Sequence, residues 1–389
     1  MANNNNTKNL NVPTLRFPEF TGEWEETIFE KVCNITTGNK NTQDKEEDGE
    51  YPFYVRSEIV ERINSYSFNG EAILTAGDGV GVGKVFHYVN GKVGVHQRVY
   101  ILSDFECSCK FAYYYFSGKF YNRVKRMSAK NSVDSVRRDM IAQMPILLPV
   151  RCEQNKIATF LSFLDRRIEI QGKIIERFES LIKGLSESLF SQRRRFMTNS
   201  GNNFPNWEIV KLREVMSIPE KKKPAIIDKN KLLTVKLHMK GVSENDNTET
   251  LSLGATNYFS RKKGQFIYGK QNLFNGAFGL IPDKLDGFLS SSDVPTLDIN
   301  HKKLNGTFLV CYFSRESFYK KLEGLASGSG SKRIHETTLL DIKIHLPSLE
   351  EQAQIANFLS VINKKLETEK LILGNYIKQK RYLLNQMFT

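Results

Sequence analysis

LPVRCEQNKIATFLSFL, residues 148–164, returns as LPSLEEQAQIANFLSVI at residues 346–362, with no gap between the two alignments. Nine of the seventeen positions are identical: Leu148, Pro149, Glu153, Gln154, Ile157, Ala158, Phe160, Leu161 and Ser162 reappear as Leu346, Pro347, Glu351, Gln352, Ile355, Ala356, Phe358, Leu359 and Ser360. Recurrence at this level in a chain of 389 residues means an internal duplication. Each Leu-Pro step sits where a strand ends and a helix begins, because the residue before a proline is pushed out of the helical region.

Downstream of each step the apolar residues alternate spacings of four and three. The first copy runs Ile157, Leu161, Leu164, Ile168, Gln171, Ile175, Phe178, Ile182, Leu185, Leu189. The second runs Ile355, Leu359, Ile362, Leu366, Glu369, Leu373, Tyr376, Lys380, Leu383, Met387. A 3.5-residue period is the seam of a coiled coil, and a polar residue in the seam, here Gln171 and Glu369, fixes register. Helices of about 35 residues, each roughly 50 Å long, are expected. Phe160, Leu161, Leu164, Ile168, Phe358, Leu359, Ile362 and Leu366 are expected to hold the two helices together as an antiparallel pair. Lys380, in place of Ile182, predicts fraying towards the end of the second seam.

Upstream of each helix lies a stretch of mixed character. FPEFTGEWEETIFEKV from Phe17 resembles FPNWEIVKLREV from Phe204, which pairs the chain's two tryptophans, Trp24 and Trp207. Residues 71–102 read as three strands, with Asn90-Gly91 as a hairpin turn. A short helix is expected at about 111–126, and another at about 304–322. Between these landmarks the copies diverge. A shared frame with different middles suits a protein that reads two different targets. The fold class is α+β: two similar mixed α/β domains, each followed by a long helix.

The net charge is +13, from 56 Lys and Arg against 43 Asp and Glu. That balance favours a polyanionic partner. No apolar stretch approaches the roughly 20 residues of a spanning helix, so double-stranded DNA is favoured over a membrane. Candidate DNA contacts cluster near loops: Lys84, Arg98, Lys125, Arg126, Lys130, Arg137 and Arg138 in the first domain, and Lys221, Lys222, Lys223, Arg261, Lys262, Lys263, Lys332 and Arg333 in the second. As a set they make a phosphate track.

Catalytic signatures are missing. GDGVGVGK (77–84) fits neither the dinucleotide fingerprint nor the phosphate-binding loop and reads as a flexible turn that permits close approach. Six histidines are scattered without metal-site spacing, and Cys107 and Cys109 have no second pair to complete a zinc site. They are expected on one face of a strand end. Five cysteines without a CxxC pair suit a reducing cytoplasm. Binding is favoured over catalysis. A stand-alone regulator, an enzyme with an unrecognised site and a coiled-coil scaffold remain as alternatives.

The two LPxxxEQxxIAxFL segments, the paired Phe-Pro…Trp-Glu openings and the two long seams together resemble the specificity subunit of type I restriction–modification systems, over nearly the whole chain. The resemblance implies two target-recognition domains reading a split DNA site, and helices that set the unread spacer. Two methyltransferase (modification) subunits would dock on those helices, and restriction subunits would join them. It also implies no catalysis and no cofactor on this chain, the partners using S-adenosylmethionine, ATP and Mg. The corresponding domain layout is a disordered lead-in at 1–14, recognition domain 1 at 15–149, the central helix and linker at 150–198, recognition domain 2 at 199–347 and the C-terminal helix at 348–389.

Overall fold

The structure is a computed structural model, and it describes residues 11–79, 81–127, 135–245, 256–328 and 331–388. The chain divides into two compact units: one comprises residues 1–173 and 371–389, the other 174–370. The division falls inside the long helices, so each unit combines one globule with half of each helix.

In the first unit the strands are β1 (Glu25–Ile28), β2 (Asn34–Thr37), β3 (Tyr51–Tyr54), β4 (Val60–Ile63), β5 (Phe68–Ala76), β6 (Phe86–Val95), β7 (Val99–Ser103) and β8 (Pro145–Leu148). Its helices are α1 (Phe29–Val32), α2 (Cys109–Met127) and α3 (Arg138–Ala142), followed by the long α4 (Arg151–Phe190). Six strands form one sheet in the order β2-β7-β5-β6-β3-β4, while β1 pairs antiparallel with β8. Alternation along β5 assigns its faces. Ala72 and Leu74 pack with Val89, Val93 and Val95 on one side, and Ile73 joins α2 and its aromatic residues on the other.

Asn90-Gly91 is not a turn. β6 runs straight through it, with Gly91 (φ 127°) opposite Gly70 (φ 150°) on β5. Two facing glycines with positive φ let both strands bend where side chains would resist. The reversal falls instead in the glycine loop between β5 and β6. Cys109 is the first residue of α2 and Cys107 lies in the bend just before it, so neither is on a strand end. Asn11 to Thr14, expected to be disordered, are fixed on the body: the Asn11 carbonyl accepts from the Trp24 N–H (3.0 Å), and Leu15 N–H donates to the Gln386 carbonyl (3.0 Å). The rest of that lead-in, residues 1–10, lies outside the described residues.

The second unit holds β9 (Glu208–Lys211), β10 (Met216–Ser217), β11 (Leu233–Val235), β12 (Val242–Glu244), β13 (Tyr258–Ser260), β14 (Phe266–Tyr268), β15 (Phe278–Leu280), β16 (Leu289–Ser291), β17 (Thr296–Ile299) and β18 (Lys343–Leu346). Its helices are α5 (Gly306–Phe313), α6 (Glu316–Tyr319) and α7 (Glu336–Leu340), before the long α8 (Leu349–Met387). β9 pairs antiparallel with β18 just as β1 pairs with β8. The helix expected at about 304–322 is broken: α5 ends at Phe313, and α6 is followed by a 3-10 turn, Lys320–Leu325.

The repeated residues explain why this frame forms twice. Gln154 donates to the Pro149 carbonyl and accepts from Ser108 N–H, which ties the start of α4 to the start of α2. Gln352 repeats this with the Pro347 carbonyl and Asn305 N–H, at the start of α5. Glu153 and Glu351 are fully buried, and each meets an arginine fork. Arg16 reaches Glu153 at 2.7 and 2.7 Å, and Arg195 reaches Glu351 at 3.0 and 2.7 Å. The residue after each arginine packs edge-on against the motif phenylalanine, as Phe17–Phe160 (5.8 Å) and Phe196–Phe358 (5.6 Å).

Phe160 and Phe358 therefore do not hold the helical pair. They lie off the seam at 36% exposure and clamp the incoming chain instead. Leu161, Leu164, Leu359 and Leu366 are buried, and Ile168 and Ile362 half-buried.

The helix segments run antiparallel within each unit. In the first, Asp165 pairs with Lys380 while Arg167 lies over the Tyr376 ring, and Leu161 and Leu164 share a core with Leu383 and Met387. In the second, Glu179 pairs with Lys370 (3.0 Å), and Leu189 shares a core with Ile355 and Leu359. Lys380 does not fray the seam: its carboxylate partner Asp165 also accepts from the Tyr114 hydroxyl (2.7 Å), and α8 continues to Met387.

Each globule is closed by the far end of a long helix. Phe388, just past α8, packs on Phe111 and Tyr115 at 5.4 and 5.5 Å. Phe190, the last residue of α4, packs on Phe308 and Tyr312 at 5.5 and 5.3 Å. Phe388→Ala is expected to destabilise the first unit by about 3 kcal/mol, because it empties a buried aromatic site. Hydrogen exchange should show the loosening in α2 and not in α5, and unchanged protection of α2 would refute this packing role.

Candidate nucleic-acid interface

In the first unit the glycine loop gathers charge from three separate segments. Gly77 N–H donates to the Arg98 carbonyl (2.8 Å), and Val136 N–H donates to the Gly77 carbonyl (2.7 Å). The turn at 96–98 and the segment at 135–138 are thereby fixed beside the loop. Gly77 has no room for a side chain, since a Cβ there would lie 2.9 Å from the Arg98 carbonyl oxygen.

Asp78 sits between two arginines, 2.9 Å from Arg56 Nη1 and 3.7 Å from Arg98 Nε. At the other end of the loop, Gly83 (φ 65°) packs on Tyr121, whose ring lies 5.8 Å from Lys84 Nζ. Lys125 and Arg126 are exposed in the last turn of α2, and Arg137 and Arg138 are exposed at the start of α3. Lys130 lies outside the described residues. Arg56, absent from the candidates named above, joins the cluster only through the fold; YVRSE carries no local signal of it.

In the second unit Lys221, Lys222 and Lys223 are exposed, with Lys221 Nζ 5.8 Å from the Phe259 ring. Arg333 pairs with Asp293 at 3.6 Å and Lys332 with Glu323 at 2.8 Å. Lys262 and Lys263 are exposed on a turn closed by Gly264, with Lys263 3.6 Å from Asp283.

Arg261 does not belong to the DNA-facing set. It is 4% exposed, and its guanidinium donates to Ser290 Oγ, Thr296 Oγ1 and the carbonyls of Ser291 and Val294. Burial lowers its pKa to about 10. Its donors are spent on holding three strands' ends together, which is the normal use of a buried arginine. Sequence alone gave three adjacent cations, and only the fold turns one of them inward.

Four of the five thiols are poorly suited to covalent chemistry. Cys33, Cys107, Cys109 and Cys311 are free, and burial pushes each of them up, Cys33 to about 12 and Cys107 and Cys311 to about 11. The thiolate is the nucleophile, so these groups are inert at neutral pH. Among the described residues, no cluster of three or more His, Cys, Asp or Glu side chains could hold a metal ion, and no helix is long and apolar enough to cross a membrane.

One frame, built twice and carrying different basic loops, defines a two-unit protein with a cationic surface on each unit. Comparison with known proteins makes the class specific. The family model for the type I restriction modification DNA specificity domain matches residues 21–180 and again 205–377. The chain is 26% identical to the type I restriction enzyme MjaVIII specificity subunit of Methanocaldococcus jannaschii, over 96% of this chain and 93% of that one. It is 21% identical to the EcoDI specificity subunit of Escherichia coli, over 86% and 80%.

Among solved structures, the S subunit of a type I restriction–modification system from M. genitalium superposes with a TM-score of 0.65 at 16% identity, covering 97% of this chain and 99% of that one. A chain from a structure of type I restriction–modification complex assembly gives 0.52 at 13% identity, covering 94% and 97%. The chain belongs to the type I restriction–modification specificity-subunit family, the non-catalytic subunits that recognise DNA and assemble into the complex.

Proposed function

We infer that each unit reads one half of a split double-stranded DNA site, through the loops gathered around Asp78 in one and Asp293 in the other. The observation that carries this reading is the contrast inside the duplication. The Glu–Arg fork, the Gln bridge and the clamped phenylalanine repeat, while the basic loops they support do not. A frame repeated for stability alone would have no reason to carry globules of different sheet order and different basic loops.

Of the sequence candidates, Lys84, Arg98, Lys125, Arg126, Arg137 and Arg138 in one unit, and Lys221, Lys222, Lys223, Lys262, Lys263, Lys332 and Arg333 in the other, are exposed or half-buried and can meet DNA. Two methyltransferase subunits and the restriction subunits would assemble on the outer faces of α4 and α8. Their cofactors (S-adenosylmethionine, ATP and Mg) would serve the partners and not this chain. The working compartment would be the cytoplasm, where the DNA lies.

Mapping methylated adenine across the source genome, with and without the gene, tests the reading. Loss of one motif made of two short halves around an unspecified spacer is the expected result. An unchanged methylation pattern, together with no methyltransferase subunit co-purifying with the chain, would overturn it.

A further inference from the structure

We propose that Arg98 in the first unit and Arg333 in the second each read a guanine, one in each half of the DNA site, and that Asp78 and Asp293 are the positioning residues that aim them. The inference rests on the DNA-reading role above and deepens it.

Most exposed cations can serve only as diffuse phosphate contacts, because long side chains lose entropy when they are fixed. Both arginines have their backbones fixed before any ligand arrives, and each guanidinium lies beside a carboxylate. Arg98 N–H donates to His96 Nδ1 (3.0 Å), and its carbonyl accepts from Gly77, so its backbone is pinned on both sides. Its side chain is 66% exposed, with Nε 3.7 Å from Asp78 Oδ2. Asp78 is itself fixed by Arg56 at 2.9 Å. The carboxylate approaches the Nε end, and among the described residues no hydrogen bond engages either Nη.

Arg333 repeats the design with other parts. Its N–H and carbonyl pair with the carbonyl and N–H of Ser327 at 2.9 and 3.0 Å. Its guanidinium lies 3.6 Å from Asp293. With the Gln271 amide turned so that its oxygen faces the guanidinium, Nε and Nη2 donate to that oxygen at 3.2 and 2.9 Å. Here too Nη1 has no hydrogen-bond partner among the described residues, and the side chain is 40% exposed.

A planar fork approached on one edge still presents two parallel donors on another. Guanine offers two acceptors, O6 and N7, side by side in the major groove. Adenine sets a donor beside N7, and a guanidinium has no acceptor to meet it. Charge agrees with this reading. Arg56, Asp78 and Arg98 together leave a local balance of about +1, so the carboxylate does not turn the site away from DNA.

The test begins with the motif that methylation mapping assigns to the gene. The full chain, purified with its modification partner, is titrated with the motif duplex and with duplexes altered at each base pair. Arg98→Gln should lose about 10- to 100-fold in affinity for the motif and nothing further when one particular G·C pair is replaced, with every other position still discriminated. Arg98→Lys keeps the charge but not the fork, so it should lose the same discrimination while keeping the salt dependence. Asp78→Asn should weaken discrimination at that same pair with unchanged thermal stability. Arg333→Gln should act at one G·C pair in the opposite half.

A uniform loss across all duplexes would make these residues phosphate contacts and overturn the proposal. So would full discrimination retained by Arg98→Lys, effects of both arginines in one half, or a half-site without a G·C pair. Failure of the underlying role looks different: no split motif would depend on the gene at all.

Discussion

Replacing residues 15–148 with the corresponding segment of another family member is expected to change one half of the methylated motif completely and leave the other half intact. The reason is that the two globules have separate cores. Trp24, Phe111, Phe116 and Ile146 belong to one cluster, and Trp207, Phe266, Phe308 and Ile344 to another.

The frame also states what a donor segment must carry. It must begin with an arginine and an aromatic residue to meet Glu153 and Phe160, and its equivalent of α2 must offer a socket for Phe388 like that of Phe111 and Tyr115. A donor without the arginine leaves Glu153 buried and unpaired, at a cost of about 3–5 kcal/mol. Such a graft should fail by unfolding, not by reading a new sequence. Genome-wide methylation mapping of a donor that meets these conditions decides the matter. A change in both halves, or in neither, would sink the two-reader model.

The frame was legible in the sequence because its signals are periodic or repeated. The alternating seam from Ile157 to Leu189 and its copy from Ile355 to Met387 both became helices, of 40 and 39 residues. The LPxxxEQ segments became strand-to-helix junctions. What stayed hidden depends on partners far away in the chain.

Arg16-Phe17 and Arg195-Phe196 do the same work, yet they are spaced differently from the motif pairs they serve. One precedes its globule from the chain's start, and the other follows α4, so a gap-free alignment never superposes them. Phe160 lies outside the alternating seam but next to Leu161, and its apolar character alone suggests helix pairing; that a third segment covers it through Phe17 is visible only in the fold. Asn90-Gly91 has the local chemistry of a turn, but Gly70 across the sheet makes it a bend within a strand. Arg261 shows the same limit for charge: three adjacent cations look alike until Ser290 and Thr296 claim one of them.

Glu351→Ala is expected to be the most destabilising single substitution in the frame. In the wild type both carboxylate oxygens of Glu351 engage Arg195, and Oε2 also accepts from the Trp207 indole N–H at 3.0 Å. Removing the carboxylate leaves a part-buried guanidinium with only the Pro205 carbonyl as acceptor, which costs about 3 kcal/mol, and a buried indole donor, about 1–3 kcal/mol more. Because neighbouring losses do not add in full, a net cost of about 3–5 kcal/mol is expected. That is a large share of a unit whose stability is of the usual order of 5–15 kcal/mol.

The equivalent change in the first unit provides the control. Among the described residues, Glu153 pairs with Arg16 alone, and the Trp24 indole nitrogen is buried without a hydrogen-bond partner. Glu153→Ala should therefore cost less than Glu351→Ala by about the worth of the indole bond. Glu351→Gln should fall between, since an amide oxygen can still accept from the indole or from Arg195 but carries no charge. Urea denaturation of the three variants, followed by hydrogen exchange in α4 and α8, measures the order directly. Equal losses for Glu351→Ala and Glu153→Ala would show that the Trp207 bond adds nothing, and the duplicated frame would then be energetically symmetric despite its unequal hydrogen bonding.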